Sequence, residues 1–185
     1  SRLLVEWLRR LGLGGVQTRE PGGSPGAERI RDLLVNGATD RWKPETETLL
    51  HYAARSEHIA HTIGPALAAG QWVVCDRFAD STLAYQGYGQ GVAPEFIESL
   101  RRQIAAATWP DLTIVMDLPV EEGLRRAMAR RGAETRYEQM AAAFHERLRQ
   151  GFLEIASRDP NRCVVIDGAA AIDDVQAAIR QSMRD

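Results

Sequence analysis

Four short strand-like runs, most of them nearly continuous in apolar residues, alternate along this chain with longer segments of helical periodicity. The runs cover residues 16–18, 72–75, 112–118 and 163–166. Apolar strands that are separated by helices are typical of a parallel sheet with helices packed on each side. The sequence therefore predicts one α/β domain over residues 1–185, with a parallel central sheet and helices on both faces.

Charged residues follow two of these runs at the point where each predicted strand ends. The first run leads into Arg19, Glu20, Pro21 and two glycines, and the second leads directly into Asp76 and Arg77. Ligands of such folds bind beyond the carboxyl ends of the strands, and an arginine fork can donate two hydrogen bonds to one phosphate. Asp76 can hold a magnesium ion through water, and Arg77 can stabilise a transferring phosphoryl group. The alternatives are an ordinary turn at the first run and a salt bridge at the second.

Two polar clusters lie beyond the second run. The first has hydroxyl and amide groups at one-turn spacing, which on a helix form either a surface that reads a base edge or an ordinary polar face. It comprises Ser81, Thr82, Tyr85 and Gln86. The second is basic and predicts either a lid over residues 125–138 that closes on a triphosphate or a solvated helix face. It comprises Arg125, Arg126, Arg130, Arg131 and Arg136.

Composition limits the classes of protein to which this chain can belong. The net charge of -2 gives no global field that would attract nucleic acid or an anionic membrane, and no apolar stretch approaches the roughly 20 residues of a membrane span. Cys75 and Cys163 lie in apolar runs, which indicates buried thiols of a reducing compartment, so we expect a cytoplasmic protein. His51, His58 and His61 lack the spacing of a metal site and are expected to be surface or half-buried residues.

Several segments together resemble the bacterial thymidylate kinases, which are nucleoside monophosphate kinases of the P-loop class. Residues 18–23, 52–55, 76–78 and 84–87 match the pattern of that family in order and separation. The likeness continues through residues 110–113, 117–119, 123–127 and 136–138 and so extends over nearly the whole chain.

The resemblance implies phosphoryl transfer from ATP to dTMP with Mg²⁺, giving dTDP and ADP for dTTP synthesis, in an enzyme that is commonly a homodimer. It makes Asp76, Arg77, Arg130 and Arg136 the catalytic candidates, with the last two in the lid beside Arg126. It places the acceptor phosphate on Arg19, Arg55 and Arg77 in a pocket shaped by Glu20 and Pro21. It places the thymine against His51 and Tyr52 and lines the base and sugar side with Ser81, Thr82, Tyr85 and Gln86.

The sequence departs from that family at three places. The family usually has Phe or Met at the position of His51, and Asp-Arg where this chain has Thr135 and Arg136. A Gly-rich loop ending in Gly-Lys-Ser/Thr usually precedes the helix that opens this chain, and Lys43 lies in no such context. We therefore expect a central strand and a phosphate-binding loop before Ser1 in the natural protein. A deoxynucleoside kinase and a relative that binds nucleotide without catalysis are the alternatives, and three arginines for an acceptor phosphate disfavour the first.

Overall fold

The computed structural model describes residues 1–129 and 136–183, and the strands in these residues lie where the sequence predicts them. The described strands are β1 (Gly15–Arg19), β2 (Trp72–Asp76), β3 (Thr113–Asp117) and β4 (Cys163–Asp167). Helices precede and follow each strand, so the predicted alternation and the α/β class are confirmed.

Helical segments make up most of the rest of the described chain. They are α1 (Arg2–Arg10), α2 (Pro25–Val35), α3 (Pro44–His58), α4 (Gly64–Ala68), α5 (Ala79–Thr82), α6 (Pro94–Ile104), α7 (Val120–Ala129), α8 (Ala142–Arg158) and α9 (Ile172–Ser182). Two π-helical segments, Ile59–Ile63 and Leu83–Gly89, and a short 3-10 turn, Ala106–Thr108, join them. None of the helices in the described ranges is long and apolar enough to cross a membrane.

The four strands pair in parallel, as predicted, but they form two sheets rather than one. β1 pairs with β2 from Gly15↔Trp72 to Arg19↔Asp76, and β3 pairs with β4 over their full lengths. No ladder joins β2 to β3 within the described residues. An apolar run predicts a strand but not the strand beside which it lies, so the four runs alone do not predict this division.

Buried side chains connect the two sheets. Arg162, which precedes β4, donates from Nη1 to Asp80 Oδ2 at 2.7 Å and to the hydroxyl of Thr113 at 2.6 Å. An apolar cluster around Leu4, Ile166 and Ile179 also contacts residues of β2 and β3. The helices α1 and α9 thus pack against both sheets and hold them together.

The start of α2 follows directly from local sequence. Ser24 caps the helix by accepting a hydrogen bond from the backbone N–H of Ala27 at 3.4 Å, and Pro25 occupies the first turn, where its missing N–H costs nothing. This short β1–α2 connection fixes the turn at residues 20–23 beside the end of β2.

Candidate active site

The carboxyl ends of β1 and β2 bring the two predicted strand-end segments together. The register pairs Arg19 with Asp76, and the backbone N–H of Glu20 donates to the carbonyl of Asp76 at 3.0 Å. Arg77 follows immediately. The two strand-end segments therefore lie side by side at one edge of a sheet.

Glu20 is the centre of a buried network behind this edge. The residue is 5% exposed, and its carboxylate accepts a hydrogen bond from Arg55 Nε at 2.8 Å and one from His58 Nδ1 at 3.0 Å. Arg55 also donates from Nη2 to the hydroxyl of Thr82 at 3.0 Å. A charge-assisted pair this deeply buried fixes the side chains that take part in it.

Arg55 keeps one guanidinium nitrogen without a partner within the described residues. The residue is 2% exposed, and its guanidinium lies against the ring of Tyr52 at 4.6 Å and against that of Phe78 at 5.3 Å. Nη1 is buried and makes no hydrogen bond within the described residues. With Nε bound to Glu20 and Nη2 bound to Thr82, Arg55 offers a ligand Nη1 and its two N–H groups.

His58 is fully buried, so the expectation of a surface or half-buried histidine was wrong. Because the Glu20 carboxylate only accepts hydrogen bonds, His58 Nδ1 carries the proton between them. Nε2 lies 2.6 Å from the hydroxyl of Thr18. The order Thr–His–Glu is that of a nucleophile, a base and an acid, but burial of all three residues and the second bond from Glu20 to Arg55 assign it to holding the turn.

The turn after β1 requires its glycines. A Cβ at Gly22 would lie 2.5 Å from Oε1 of Glu28, and one at Gly23 would lie 2.4 Å from Nε2 of His58. The backbone N–H of Gly23 donates to Glu28 at 2.8 Å and is the main reason that the pKa of that carboxyl is lowered. Arg19 pairs with the same carboxylate at 3.2 Å. Glu28 was not among the predicted residues, although an acid in the first turn of a helix is a recognisable signal.

The side chain of Arg77 is exposed, unlike the buried side chain of Arg55. Its guanidinium lies 5.1 Å from the ring centre of Tyr85, and it forms no ion pair within the described residues. Among the non-glycine residues that the structure describes, Arg77 alone has a positive φ, which is 69°. An L residue in this region is strained, and such strain is common at functional positions.

A second buried network contains Glu47, which the sequence did not point to. Glu47 is 0% exposed, and its Oε1 accepts hydrogen bonds from Gln86 at 2.8 Å and from the hydroxyl of Tyr137 at 3.0 Å. His51 Nε2 lies 3.0 Å from that same hydroxyl. Because the Tyr137 proton goes to Glu47, His51 donates to the phenol oxygen.

The protonation of His51 follows from its surroundings. Removal from water, then the positive charge of Arg55, lower its pKa to about 3, so the ring is neutral near pH 7. Burial raises the pKa of Tyr137, which keeps its hydroxyl protonated as a donor.

Arg136 lies in this second network and not on an open surface. It pairs with Glu47 Oε2 at 2.5 Å and donates to the carbonyls of Leu34, Ala38 and Thr39 at 2.9 to 3.1 Å. Each of its three guanidinium nitrogens is thus engaged within the protein, which differs from the phosphate contact that the resemblance implied. Residues 136–139 form a turn, and α8 begins at Ala142.

The predicted basic cluster is partly neutralised. Glu122 accepts from Arg125 at 2.7 Å and from Arg126 at 2.6 Å, and these hydrogen bonds lower the pKa of its carboxyl to about 2. Arg126 also donates to the carbonyl of Gly168 at 2.8 Å. Arg130 and Arg131 lie outside the described residues.

The remaining predicted residues lie around the two networks. Pro21 follows a cis peptide bond, and its carbonyl accepts from Arg31 at 2.6 Å. Tyr85 packs edge-on against Tyr137 with ring centres 5.3 Å apart. Ser81 is half-buried at the start of the same helical segment. The side chains of Tyr85 and Gln86 come from a π-helix, a form that is frequent at functional sites.

Asp76 provides a single exposed carboxylate at the end of β2. The described residues contain no group of three acidic, histidine or cysteine side chains that would hold a metal by themselves. One carboxylate beside a phosphate site fits Mg²⁺, which keeps most of its water and binds through substrate phosphates.

Parallel strands, arginines gathered at their carboxyl ends and a polar helix beside them define an α/β enzyme that binds phosphorylated ligands. Comparison with known proteins makes this class specific. The thymidylate kinase family model matches residues 1–179. The thymidylate kinase of Caulobacter vibrioides is 57% identical over 178 residues, which is 96% of this chain and 85% of that protein.

Further relatives agree. The thymidylate kinase of Ruegeria pomeroyi is 47% identical over 98% of this chain and 85% of its own length. The crystal structure of the Ehrlichia chaffeensis thymidylate kinase superposes with a TM-score of 0.78 at 33% identity, covering 100% of this chain and 89% of that one. The chain belongs to the thymidylate kinase family.

Proposed function

We propose that this chain transfers the γ-phosphoryl group of ATP to dTMP and forms dTDP and ADP. The observation that carries the proposal is Arg77, an exposed arginine held on a strained backbone directly after β2. Its position beside Asp76 and Arg19 suits a doubly charged acceptor phosphate. The family relationship supports the same reaction.

The acceptor phosphate would contact Arg77 and Arg19, while Arg55 would donate to the ligand from its unpaired Nη1. Phosphoryl transfer needs little covalent chemistry from the protein, so positioning and neutralisation of charge carry the rate. The buried pair of Arg55 with Glu20 keeps that donor fixed before substrate binds. Water is displaced when the acceptor fills the pocket, which strengthens these contacts.

Asp76 would hold Mg²⁺ through water, and the bound ion would neutralise charge on the ATP phosphates. In this proposal, Arg126 and Arg130 make the contacts between the lid and ATP. Arg136 is better suited to anchoring the chain after the lid, since its hydrogen bonds are already made to α2, the following loop and α3.

The base side would be formed by Tyr52, Ser81, Thr82, Tyr85 and Gln86, with His51 at its border. His51 is neutral and donates to Tyr137, so it acts here as a fixed polar group and not as a cation. This role would replace the base stacking expected of the Phe or Met that the family usually has at this position.

We further propose a cytoplasmic homodimer. Cys75 and Cys163 are both free, which suits a reducing compartment. Leu33 on α2 and Leu49 on α3 are 38% and 49% exposed on helices that pack together, and an interface between two copies would cover them. Light scattering during size-exclusion chromatography tests the dimer, and a Leu49→Glu variant should shift it toward monomer.

The deciding assay follows ADP formation by the full-length gene product with ATP, Mg²⁺ and dTMP, beside reactions with thymidine and uridine monophosphate. Turnover with dTMP and not with thymidine supports the proposal. Turnover with thymidine would identify a deoxynucleoside kinase. A folded protein that binds ATP and dTMP without turnover would identify a binder.

A further inference from the structure

Glu47 joins three separate segments through one carboxylate. It lies on α3, and its Oε1 accepts from Gln86 at 2.8 Å, from Gln90 at 2.9 Å and from the Tyr137 hydroxyl at 3.0 Å. Its Oε2 pairs with Arg136 at 2.5 Å. Gln86 belongs to the π-helix on the base side, Gln90 caps that helix, and the other two residues open the segment that leads to α8.

Burial makes these contacts consequential. Glu47 is 0% exposed, and the side chain of Arg136 is equally buried, so removing either charge would leave the other in the interior without a counter-charge. The partners are 39 to 90 residues from Glu47 in sequence, so their convergence is a tertiary feature and not a local helix contact.

The carboxylate also fixes the orientation of Gln86. A carboxylate only accepts hydrogen bonds, so the amide nitrogen of Gln86 faces Glu47 and its oxygen faces away. That oxygen is buried and without a protein partner within the described residues. A buried acceptor left open in this way suits a ligand N–H group and would be lost if the amide turned over.

We propose that Glu47 is a positioning residue for phosphoryl transfer. Its carboxylate holds the base-side π-helix and the segment beginning at Arg136 in one arrangement, so that the acceptor nucleotide is aligned. This inference rests on the proposed function. Glu47 touches no reacting atom and acts through Gln86, Tyr137 and Arg136.

Glu47→Gln is the test, since it keeps the shape and removes the charge. We expect kcat to fall about tenfold or more and KM for dTMP to rise about tenfold, because small displacements of an aligned substrate cost up to about 100-fold. Tyr137→Phe, which deletes one hydrogen bond to Glu47 and keeps the ring, should raise KM for dTMP by a smaller factor. It provides the measurement if Glu47→Gln fails to fold.

The matched control is Asp80→Asn, which removes another buried carboxylate paired with an arginine. Asp80 binds Arg162 at 2.7 Å and lies outside the Glu47 network. Asp80→Asn should lower the melting temperature to a similar extent and change kcat and KM by less than about twofold. The inference is overturned if Glu47→Gln and Tyr137→Phe keep wild-type kinetics, or if Asp80→Asn loses activity to the same degree. An inactive wild type would refute the proposed function as well.

Discussion

Replacing Arg77 by alanine should abolish phosphoryl transfer and leave the fold almost as stable as before. The side chain is exposed, and its described contact is the cation–π stack on Tyr85 at 5.1 Å, which contributes about 0.5–1 kcal/mol at an exposed site. The strain of φ 69 is unchanged by alanine. We therefore expect a loss of about 1 kcal/mol or less in the free energy of unfolding.

A glycine at the same position separates the strain from the contact. Arg77→Gly loses the stack on Tyr85 but relieves roughly 1–2 kcal/mol of left-handed strain. Greater freedom of the unfolded chain offsets roughly 0.4–1 kcal/mol of that gain. The glycine variant should thus lie within about 1 kcal/mol of the wild type and be at least as stable as the alanine variant.

Both variants should lose kcat by about 10³-fold or more, the effect of removing an arginine that stabilises a transferring phosphoryl group. ADP formation with dTMP measures the activity, and urea denaturation measures the stability. Arg2→Ala is the control, because Arg2 is exposed and pairs with Glu6 on the same helix. An Arg77→Ala protein that unfolds or keeps full activity would refute the assignment, and a glycine variant much less stable than the alanine variant would refute the strain argument.

Three further predictions concern the buried network and its surroundings. Glu20→Gln should destabilise the fold by about 3 kcal/mol in urea denaturation, because Arg55 is left buried without its counter-charge; an unchanged midpoint would contradict this. Gly23→Ala should cost about 2 kcal/mol or more, since its Cβ would meet His58 at 2.4 Å and its φ is 84, and equal melting temperatures would exclude the clash. His51 has a folded pKa of about 3, below its unfolded value near 6.5, so the stability it contributes is complete above pH 6.5 and is lost as pH falls toward 3. The unfolding free energy should therefore fall less between pH 7 and pH 4 in His51→Phe than in the wild type. An identical pH dependence of the unfolding free energy in the two proteins would show that folding does not lower the pKa of His51.

The elements that the sequence predicted correctly are those decided by local pattern. Short apolar runs between helical segments indicated the four strands. The meeting of Arg19 with Asp76 also followed from sequence, because parallel strands end at one edge. Local pattern did not reveal which strands pair, since all four are similar in length and composition.

The charged residues inside the protein could not be predicted in the same way. Glu47, Arg136 and His58 carry polar side chains on segments whose sequence looks solvated, and burial depends on partners far along the chain. Arg136 binds carbonyls 97 to 102 residues away, a contact that no window of neighbouring residues contains. A charged side chain is buried only where such partners contact it, so tertiary structure decides whether it is buried or exposed.

The arginines of the site divide according to whether a carboxylate already neutralises them. Arg55 and Arg136 are buried against Glu20 and Glu47, and each pair would be costly to open for a phosphate. Arg77 has no ion pair within the described residues, so its charge is available to a ligand. The proposed phosphate site thus has the unpaired charge of Arg77 at the surface and the two buried ion pairs behind it. The buried pairs then act on catalysis only by holding the groups that touch substrate, which is why Glu47→Gln and Arg77→Ala should differ in kind: the first changes alignment, and the second removes the charge that stabilises the transferring group.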